Sequence, residues 1–399
     1  MNVVIIGAGV AGLGIGWKLA TAGANVTILE RAQAGRGATT ASGGMIAAAA
    51  ELGHADTPLA AFAKRANDLW PDFVAELEAQ SGISVDFRKN GSLMVALKSG
   101  GCPHAHGGEH PTASSGQPNP HAQGSDIAML TAEQARAMEP MLSEDIAGAL
   151  WAPHEAQIDT HALVRALATA FVKAGGNLLL NEGAVRIEVE DGRAVGEGRA
   201  VGVRTPFTLY RADAYVLAAG AWTSRMEGLP PEAIPPVIPI KGEIVVLTPP
   251  SDAVLPKHVV WGNEIYVVPR IGRLLVGATV ERAGFDTGKS PDAYRWLRGQ
   301  SAGLMPALES WDVAEHWVGL RPATPDGLPI IGPTVVEGLY VASGQYRNGI
   351  LFAPAVAEVV SRLVLERVMD VPAFDPRRFD GTKPHEPGSV IETARRALA

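Results

Sequence analysis

The segment VVIIGAGVAGLGIG, residues 3–16, joins a β-branched run to a Gly-rich turn and to a helical pattern that continues to Ala22. A second β-branched run, VTILE, ends at Glu30. These elements predict a βαβ unit with a GxGxxG turn between its first strand and its helix. Such a turn presents backbone N–H groups and the positive end of a helix to a pyrophosphate. We therefore expect a Rossmann-type dinucleotide site.

The residue types in and after the turn suit that chemistry. Gly7 permits the tight turn, Gly9 lets the backbone approach the phosphates, and Gly12 lets the helix pack closely on the strand. Glu30, at the end of the second strand, can accept hydrogen bonds from both ribose hydroxyls and repels a 2′-phosphate. We therefore expect an adenosine group without a 2′-phosphate at this end of the site.

Composition narrows the class of protein. The 399 residues suit about two domains. A net charge of −8 without a Lys/Arg cluster argues against nucleic acid as a partner. No apolar stretch is long enough for a membrane span, and the chain begins without a signal-peptide pattern. Because the single cysteine, Cys102, also excludes an intrachain disulfide or a Cys-based metal site, we expect a soluble cytoplasmic protein without a metal.

Periodic patterns predict the remaining elements. Helical spacing is present at residues 57–80, 160–174 and 349–367, and short β-runs at residues 243–248, 258–261, 265–269 and 273–279. The β-runs predict an antiparallel sheet. The pair Asn90-Gly91 predicts a hairpin over residues 86–97. Residues 99–125, rich in Gly, Pro, Ser and His, predict an irregular insertion with little apolar surface to bury.

Three further segments favour FAD over NAD. RGATTASGGM, residues 36–45, is a run of small and hydroxyl side chains that can lie flat against a large cofactor. VLAAGAW, residues 216–222, lets backbone pass close to a cofactor, and ASGQYRNGI, residues 342–350, predicts a strand, a turn and a helix N-terminus that faces a reduced flavin. An NAD-linked dehydrogenase stays open as an alternative.

With the motifs VGLRPATPDGLPIIGP and GQYRNGILFAPA, the chain resembles the D-amino-acid oxidase-like flavoproteins, most closely the glycine oxidases of thiamine biosynthesis. The resemblance covers about residues 1–370, apart from 99–125. It implies an α/β fold in which a discontinuous Rossmann-type FAD-binding domain is joined to a smaller α+β substrate domain with an antiparallel sheet. The FAD-binding domain would comprise residues 1–50, 150–227 and 319–370, the substrate domain 51–149 and 228–318, and a tail 371–399.

The resemblance also assigns catalytic roles. It implies that Arg321 binds the substrate carboxylate, that Tyr266 hydrogen-bonds it, that Arg347 lies near the flavin, and that Met45 lines the pocket. A guanidinium matches a carboxylate in a bidentate way. Structural alternatives remain: Arg321 could pair with Asp326, Arg347 could form an interdomain salt bridge, Tyr266 could place its hydroxyl in solvent, and Met45 could be simple packing.

The FAD-binding residues predicted from these motifs are Gly7, Gly9, Val10, Ala11, Gly12, Glu30, Arg31, Ala38, Thr39, Gly43, Gly44, Met45, Val185, Ala219, Gly220, Trp222, Gln345, Tyr346, Arg347, Asn348, Gly349 and Ile350. Since Cys102 lies in the insertion, we expect the flavin to be held noncovalently.

The predicted reaction is oxidative deamination of glycine or a similar small amine or amino acid, by hydride transfer to flavin. Oxygen would then reoxidise the flavin and give hydrogen peroxide. Two alternatives keep the flavin: a D-amino-acid dehydrogenase that passes electrons to quinone or another carrier, and a flavin-binding subunit without activity. The resemblance also implies assembly into a homo-oligomer.

Overall fold

The computed structural model describes residues 1–48, 57–98, 127–183, 185–190 and 198–379. The helices are α1 Val10–Thr21, α2 Pro58–Ser81, α3 Ala132–Met138, α4 Thr160–Lys173, α5 Pro291–Leu304 and α6 Ala353–Glu366. The strands are β1 Asn2–Ile6, β2 Asn25–Leu29, β3 Met45–Ile46, β4 Ser92–Leu97, β5 Ala128–Thr131, β6 Ile146–Ala152, β7 Ala156–Gln157, β8 Asn177–Leu179, β9 Arg186–Glu190, β10 Arg199–Arg204, β11 Leu209–Tyr210, β12 Ala214–Leu217, β13 Ile238–Thr248, β14 Val259–Gly262, β15 Ile265–Arg270, β16 Arg273–Gly277, β17 Asp312–Ala323, β18 Ile330–Pro333 and β19 Leu339–Ser343.

The first sheet has the strand order β18-β19-β12-β1-β2-β8. Its strands run parallel except β18, which is antiparallel to β19. Alternate residues of β1 are buried in two different apolar clusters, Val3 and Ile5 in one and Val4 and Ile6 in the other. Burial on both faces is typical of a parallel sheet covered by other layers, and it explains the continuous β-branched run. The predicted Rossmann-type unit is confirmed.

Helix α2, which lies within the residues 51–149 that the resemblance assigns to the substrate domain, packs in the layer beside the first sheet. Its apolar face contacts α1 and the start of α6. Phe73 meets Trp17 edge-on with ring centroids 5.2 Å apart, and Phe62 meets Phe352, the residue before α6, in the same way. Trp70 is also buried and donates to the carbonyl of Leu351 at 3.0 Å. The aromatic face of the helix is therefore buried against the layer that covers the first sheet.

The second sheet has the order β17-β13-β16-β15-β14-β4-β6-β5 and is antiparallel apart from the β14–β4 pair. Helices α3 and α5 cover one face with Ala135, Leu297 and Leu304. This is the predicted antiparallel sheet. The domain boundaries predicted at residues 150 and 319 fall inside β6 and β17. Each of these strands lies in the second sheet over its whole length.

Two local predictions are wrong. The 86–97 segment is not a hairpin: Arg88 exchanges backbone hydrogen bonds of 2.9 Å with Gln157, while β4 pairs with β6 and β14. Of the Asn90-Gly91 pair only Gly91 has a positive φ, +75°, whereas a two-residue hairpin turn of that type needs two. The tail does not begin at residue 371, because Phe374 is buried with its ring 5.1 Å from that of Phe62.

The predicted insertion at residues 99–125 lies outside the described residues, as does the chain after residue 379. Among the helices that the structure describes, none combines the length and the apolar character needed to cross a membrane.

Candidate functional site

The Gly-rich turn places the start of α1 at the carboxyl edge of the first sheet. Gly7 has a φ of +106°, and a Cβ there would lie 2.5 Å from the carbonyl oxygen of Ala218 on the neighbouring strand segment. A Cβ on Gly12 would overlap the carbonyl oxygen of Gly7. Gly12 therefore permits the helix to meet the turn. Gly12 is not among the residues that line the cavity described below, and its assignment as a cofactor-binding residue stays a prediction.

Glu30 is tied to the same turn. One carboxylate oxygen accepts the N–H of Ala8 at 2.9 Å, and the other accepts the N–H of Ala32 at 3.1 Å. Next to it, the Arg31 guanidinium stacks 3.8 Å from the ring centroid of Trp222. Trp222 lies on a short 3-10 helix, Gly220–Arg225, that follows β12. The Glu30 carboxylate is thus fixed where two parallel strands end.

A cavity of about 420 Å³ extends from this turn to the second sheet. Of the predicted site residues it is lined by Gly7, Gly9, Val10, Ala11, Glu30, Arg31, Ala38, Thr39, Gly43, Gly44, Met45, Val185, Ala219, Gly220, Trp222, Tyr266, Arg321, Gln345, Tyr346, Arg347, Asn348, Gly349 and Ile350. Residues far apart in sequence therefore meet around one space. Its volume falls within the range of small-molecule sites.

Tyr266 and Met45 both lie against Gly43 of the small-residue run. A Cβ on Gly43 would lie 3.0 Å from the Tyr266 ring and 3.5 Å from the Met45 methyl group. Tyr266 is buried, only 5% exposed, and lines the cavity. Met45 is half-buried on β3 and packs against the apolar cluster that contains Tyr266.

The GQYRN turn closes another side of the cavity. Tyr346 has a φ of +47°, and its N–H donates to the carbonyl of Pro322 at 2.8 Å, which joins this turn to the GLRP motif. Helix α6 begins only at Ala353, whereas the sequence predicted a start at Gly349. Pro354, in the first turn of α6, suits a helix start. The cavity is therefore faced by the turn, not by the helix N-terminus.

Arg321 lies at the second-sheet side of the cavity. Its Nη1 donates to the carbonyl of Thr279 at 3.1 Å and to that of Lys241 at 3.4 Å. Asp326, the alternative partner, instead pairs with Arg378 at 2.7 Å. The guanidinium of Arg321 lies beside the cavity, and two backbone carbonyls accept hydrogen bonds from it.

The wall of the cavity carries more positive than negative charge. Among the described residues, its cations are Arg31, Arg36, Arg225, Arg321 and Arg347, and its anions are Glu30 and Glu227. Such a wall suits an anionic occupant such as a pyrophosphate or a carboxylate. Within the ranges that the structure covers, no three His, Cys, Asp or Glu side chains are grouped to hold a metal ion.

The residues present fit FAD. The bare backbones of Gly7 and Gly9 let a phosphate approach the turn, and α1 begins immediately after them. In the described part of the chain, two buried polar atoms of the cavity wall make no hydrogen bond, Nε2 of Gln345 and Oδ1 of Asn348. A flavin ring edge alternates carbonyl and N–H groups, and can therefore satisfy both a donor and an acceptor.

Comparison with known proteins agrees with this fit. A family model described as FAD dependent oxidoreductase matches residues 2–363. The chain belongs to this family. FAD is accordingly its cofactor, and the resemblance inferred from the motifs is confirmed.

Individual relatives cover most of this chain. A glycine oxidase from Geobacillus kaustophilus is 34% identical over 385 residues, 95% of this chain and 97% of the relative. The crystal structure of glycine oxidase from Geobacillus kaustophilus matches with a TM-score of 0.80 at 31% identity, over 94% of this chain and 98% of that one. The bifunctional protein ThiO/ThiG of Trichormus variabilis is 35% identical over 373 residues, 92% of this chain. This chain spans about half of that relative, 53% of its length.

Sequence reasoning missed several residues that shape the site. Gly242 and Gly319 pair across β13 and β17 and line the cavity, and Arg270 is buried behind Gly43. The paired glycines had no local signal, since each occurs singly within an ordinary strand pattern. A Pro-Arg pair after a β-run, at residues 269–270, gives no indication that the arginine is buried.

Proposed function

We propose that this FAD-dependent oxidoreductase oxidises glycine or a similarly small amine or amino acid. The position of Arg321 carries the proposal: a guanidinium beside the cavity, oriented by the carbonyls of Lys241 and Thr279. A planar guanidinium binds a carboxylate through two parallel hydrogen bonds, which sets the orientation of the rest of the substrate. The glycine oxidase from Geobacillus kaustophilus, similar over nearly the whole chain, supports a small amino acid as the substrate.

The side chains that line the cavity at the small-residue run also support a small substrate. The Tyr266 ring and the Met45 methyl group both lie against Gly43 and line the cavity, so a bulky substrate side chain would compete with them for room. Because the wall near this point is apolar, with Tyr266 and Met45 in one cluster, it favours a neutral amine over an ammonium ion. A neutral amine leaves its lone pair available when the α-hydrogen departs.

In this mechanism the side chains of the protein bind and orient the substrate. Bound FAD supplies the hydride acceptor. Arg321 would hold the carboxylate and Tyr266 would donate a second hydrogen bond to it, and these two contacts would fix the orientation of the α-carbon in the cavity. Loss of that hydride and of an amine proton leaves an imine, which water hydrolyses. With oxygen as the final oxidant, glycine, oxygen and water give glyoxylate, ammonia and hydrogen peroxide.

An anaerobic screen tests the proposal. Purified protein is mixed with glycine, sarcosine and small D- and L-amino acids, and bleaching of the flavin absorbance is followed. We expect rapid bleaching by glycine or a close analogue, and little by methylamine, which has no carboxylate. Lack of bleaching by every small amino acid would contradict the proposal. Air is then admitted. Formation of peroxide would identify an oxidase, whereas a dehydrogenase would reduce only an added quinone or dye.

A further inference from the structure

Arg270, at the end of β15, is a fully buried cation behind the wall of the cavity, 2% exposed. Its Nη2 donates to the carbonyl of Gly43 at 2.5 Å and to that of Ile158 at 2.7 Å. Its Nη1 donates to the carbonyl of Pro269 at 3.1 Å and to the side-chain oxygen of Gln157. The guanidinium therefore ties β15 to the segment before β3 and to β7.

The acceptors of Arg270 are all neutral. Within the described residues no carboxylate lies at ion-pair distance from it, and the nearby Asp159 pairs with Arg273 at 2.9 Å instead. Burial lowers the pKa of Arg270 to about 10, so the group is still charged at neutral pH. A buried charge without an ion-pair partner is unusual, because its desolvation is only partly offset by carbonyl dipoles.

This charge is separated from the cavity by a single layer of backbone. Gly43 and Gly44 line the cavity, and a Cβ on Gly44 would lie 2.6 Å from Nη2 of Arg270. Side chains alternate along a strand, so Tyr266 and Arg270 lie on the same face of β15. One strand thus presents Tyr266 to the cavity and Arg270 to the backbone beside it.

We propose that Arg270 positions the Gly43–Met45 backbone beside the cofactor and that its positive charge raises the reduction potential of the bound FAD. Hydride uptake adds negative charge to the cavity, and a nearby cation in a medium of low dielectric constant stabilises that charge. The inference rests on FAD binding and is independent of the amino-acid substrate proposed above.

The test measures the midpoint potential of the bound FAD, by dye equilibration, and the dissociation constant of sulfite, which adds to flavin and leaves it anionic. Arg270→Gln removes the charge, and Arg270→Lys keeps it while losing the planar geometry. Gln157→Glu keeps the arginine and places a carboxylate against it. Arg273→Gln, on the adjoining strand, is the matched control because Arg273 is already paired with Asp159.

We expect Arg270→Gln and Gln157→Glu to disfavour reduction about tenfold, which is about 30 mV for a two-electron couple. Sulfite should bind about tenfold more weakly to both variants, by the same charge effect. The equilibrium constant for reduction of the bound FAD should change by no more than about threefold in Arg270→Lys and about twofold in Arg273→Gln. Both variants retain the buried charge.

Unchanged potential and sulfite affinity in Gln157→Glu would overturn the electrostatic role, even where Arg270 variants fail to retain FAD. A fall in potential as large in Arg270→Lys as in Arg270→Gln would also overturn it and leave only the positioning role. These measurements need no amine, so a negative amino-acid screen together with the expected potentials would refute the proposed substrate and support this inference.

Discussion

The guanidinium of Arg321 lies directly against the backbone of Gly242, where a Cβ would overlap both of its terminal nitrogens. The partner of Gly242 across the β13–β17 pair is a second glycine, Gly319. A Cβ on Gly319 would lie 2.7 Å from that of Ala41, in the small-residue run. The two glycines thus provide the room in which the arginine and the run approach each other.

Gly242→Ala is therefore expected to displace Arg321 without removing it. The loss in kcat/KM for a carboxylate substrate should reach about 100-fold, the scale of a misplacement of about 1 Å, with FAD content unchanged. Steady-state kinetics and the flavin-to-protein absorbance ratio measure the two quantities. Gly299→Ala is the control, since a Cβ there meets nothing within 4 Å. Equal kcat/KM values in the two variants would show that a methyl group at residue 242 does not displace Arg321.

Arg321→Lys should keep the charge but lose the bidentate geometry. We expect a loss of roughly 1.5–3 kcal/mol in transition-state binding of carboxylate substrates, the scale of a charge-assisted hydrogen bond. Arg321→Ala should lose more, because a desolvated carboxylate would lack its partner. Oxidation of an amine without a carboxylate should change little in either variant. Wild-type kcat/KM for glycine or its analogues in both variants would make Arg321 a structural residue.

Glu30→Gln should weaken FAD binding. Each carboxylate oxygen of Glu30 accepts a backbone N–H, from Ala8 and from Ala32. An amide NH₂ would place a donor against one of these donors, at a penalty of roughly 1–3 kcal/mol. Equilibrium dialysis of FAD measures the dissociation constant. Glu188→Gln, which removes an exposed pair with Arg204, should leave that constant unchanged.

The flavin should be released completely by acid precipitation. A cysteine is a common anchor for a covalent flavin, and this chain has only Cys102, within the 99–125 segment, which is not among the described residues. Absorbance of the supernatant and the pellet at the flavin bands measures the partition. Yellow colour retained by the washed pellet would contradict noncovalent binding.

Asp159 should make stability depend on pH. Burial by itself raises the pKa of Asp159, but the N–H of Ala162 and the cations Arg273 and Arg270 outweigh it and hold that pKa below its ordinary value of 3.8. A group with a lowered folded-state pKa stabilises the protein above its unfolded-state pKa and loses that effect as the pH falls.

Asp159→Asn keeps the cap of α4 and removes the charge. At neutral pH it should reduce the free energy of unfolding, and the difference from the wild type should narrow as the pH falls below about 4. Urea denaturation at several pH values measures this. A difference that stays constant down to pH 2 would show that the charge of Asp159 does not stabilise the fold.

Much of this protein could be predicted from its sequence, where the information is local. The turn at residues 7–12 and the strands around it follow from short-range spacing, because a strand, a glycine turn and a helix are specified by adjacent residues. The antiparallel sheet and the segments around the cavity were likewise predicted, and all the predicted site residues except Gly12 line one cavity.

The tertiary structure decided what depends on contacts between distant residues. An apolar helix face does not specify which layer it meets, so only packing placed α2 beside the first sheet. The Asn90-Gly91 pair predicted a hairpin, whereas in the structure β4 pairs with β6 and β14. Arg270 donates hydrogen bonds to Gly43 and Gln157, which lie 227 and 113 positions away in the sequence. The burial of its charge is therefore a property of the folded chain, because none of these acceptors except the adjacent carbonyl of Pro269 lies nearby in sequence.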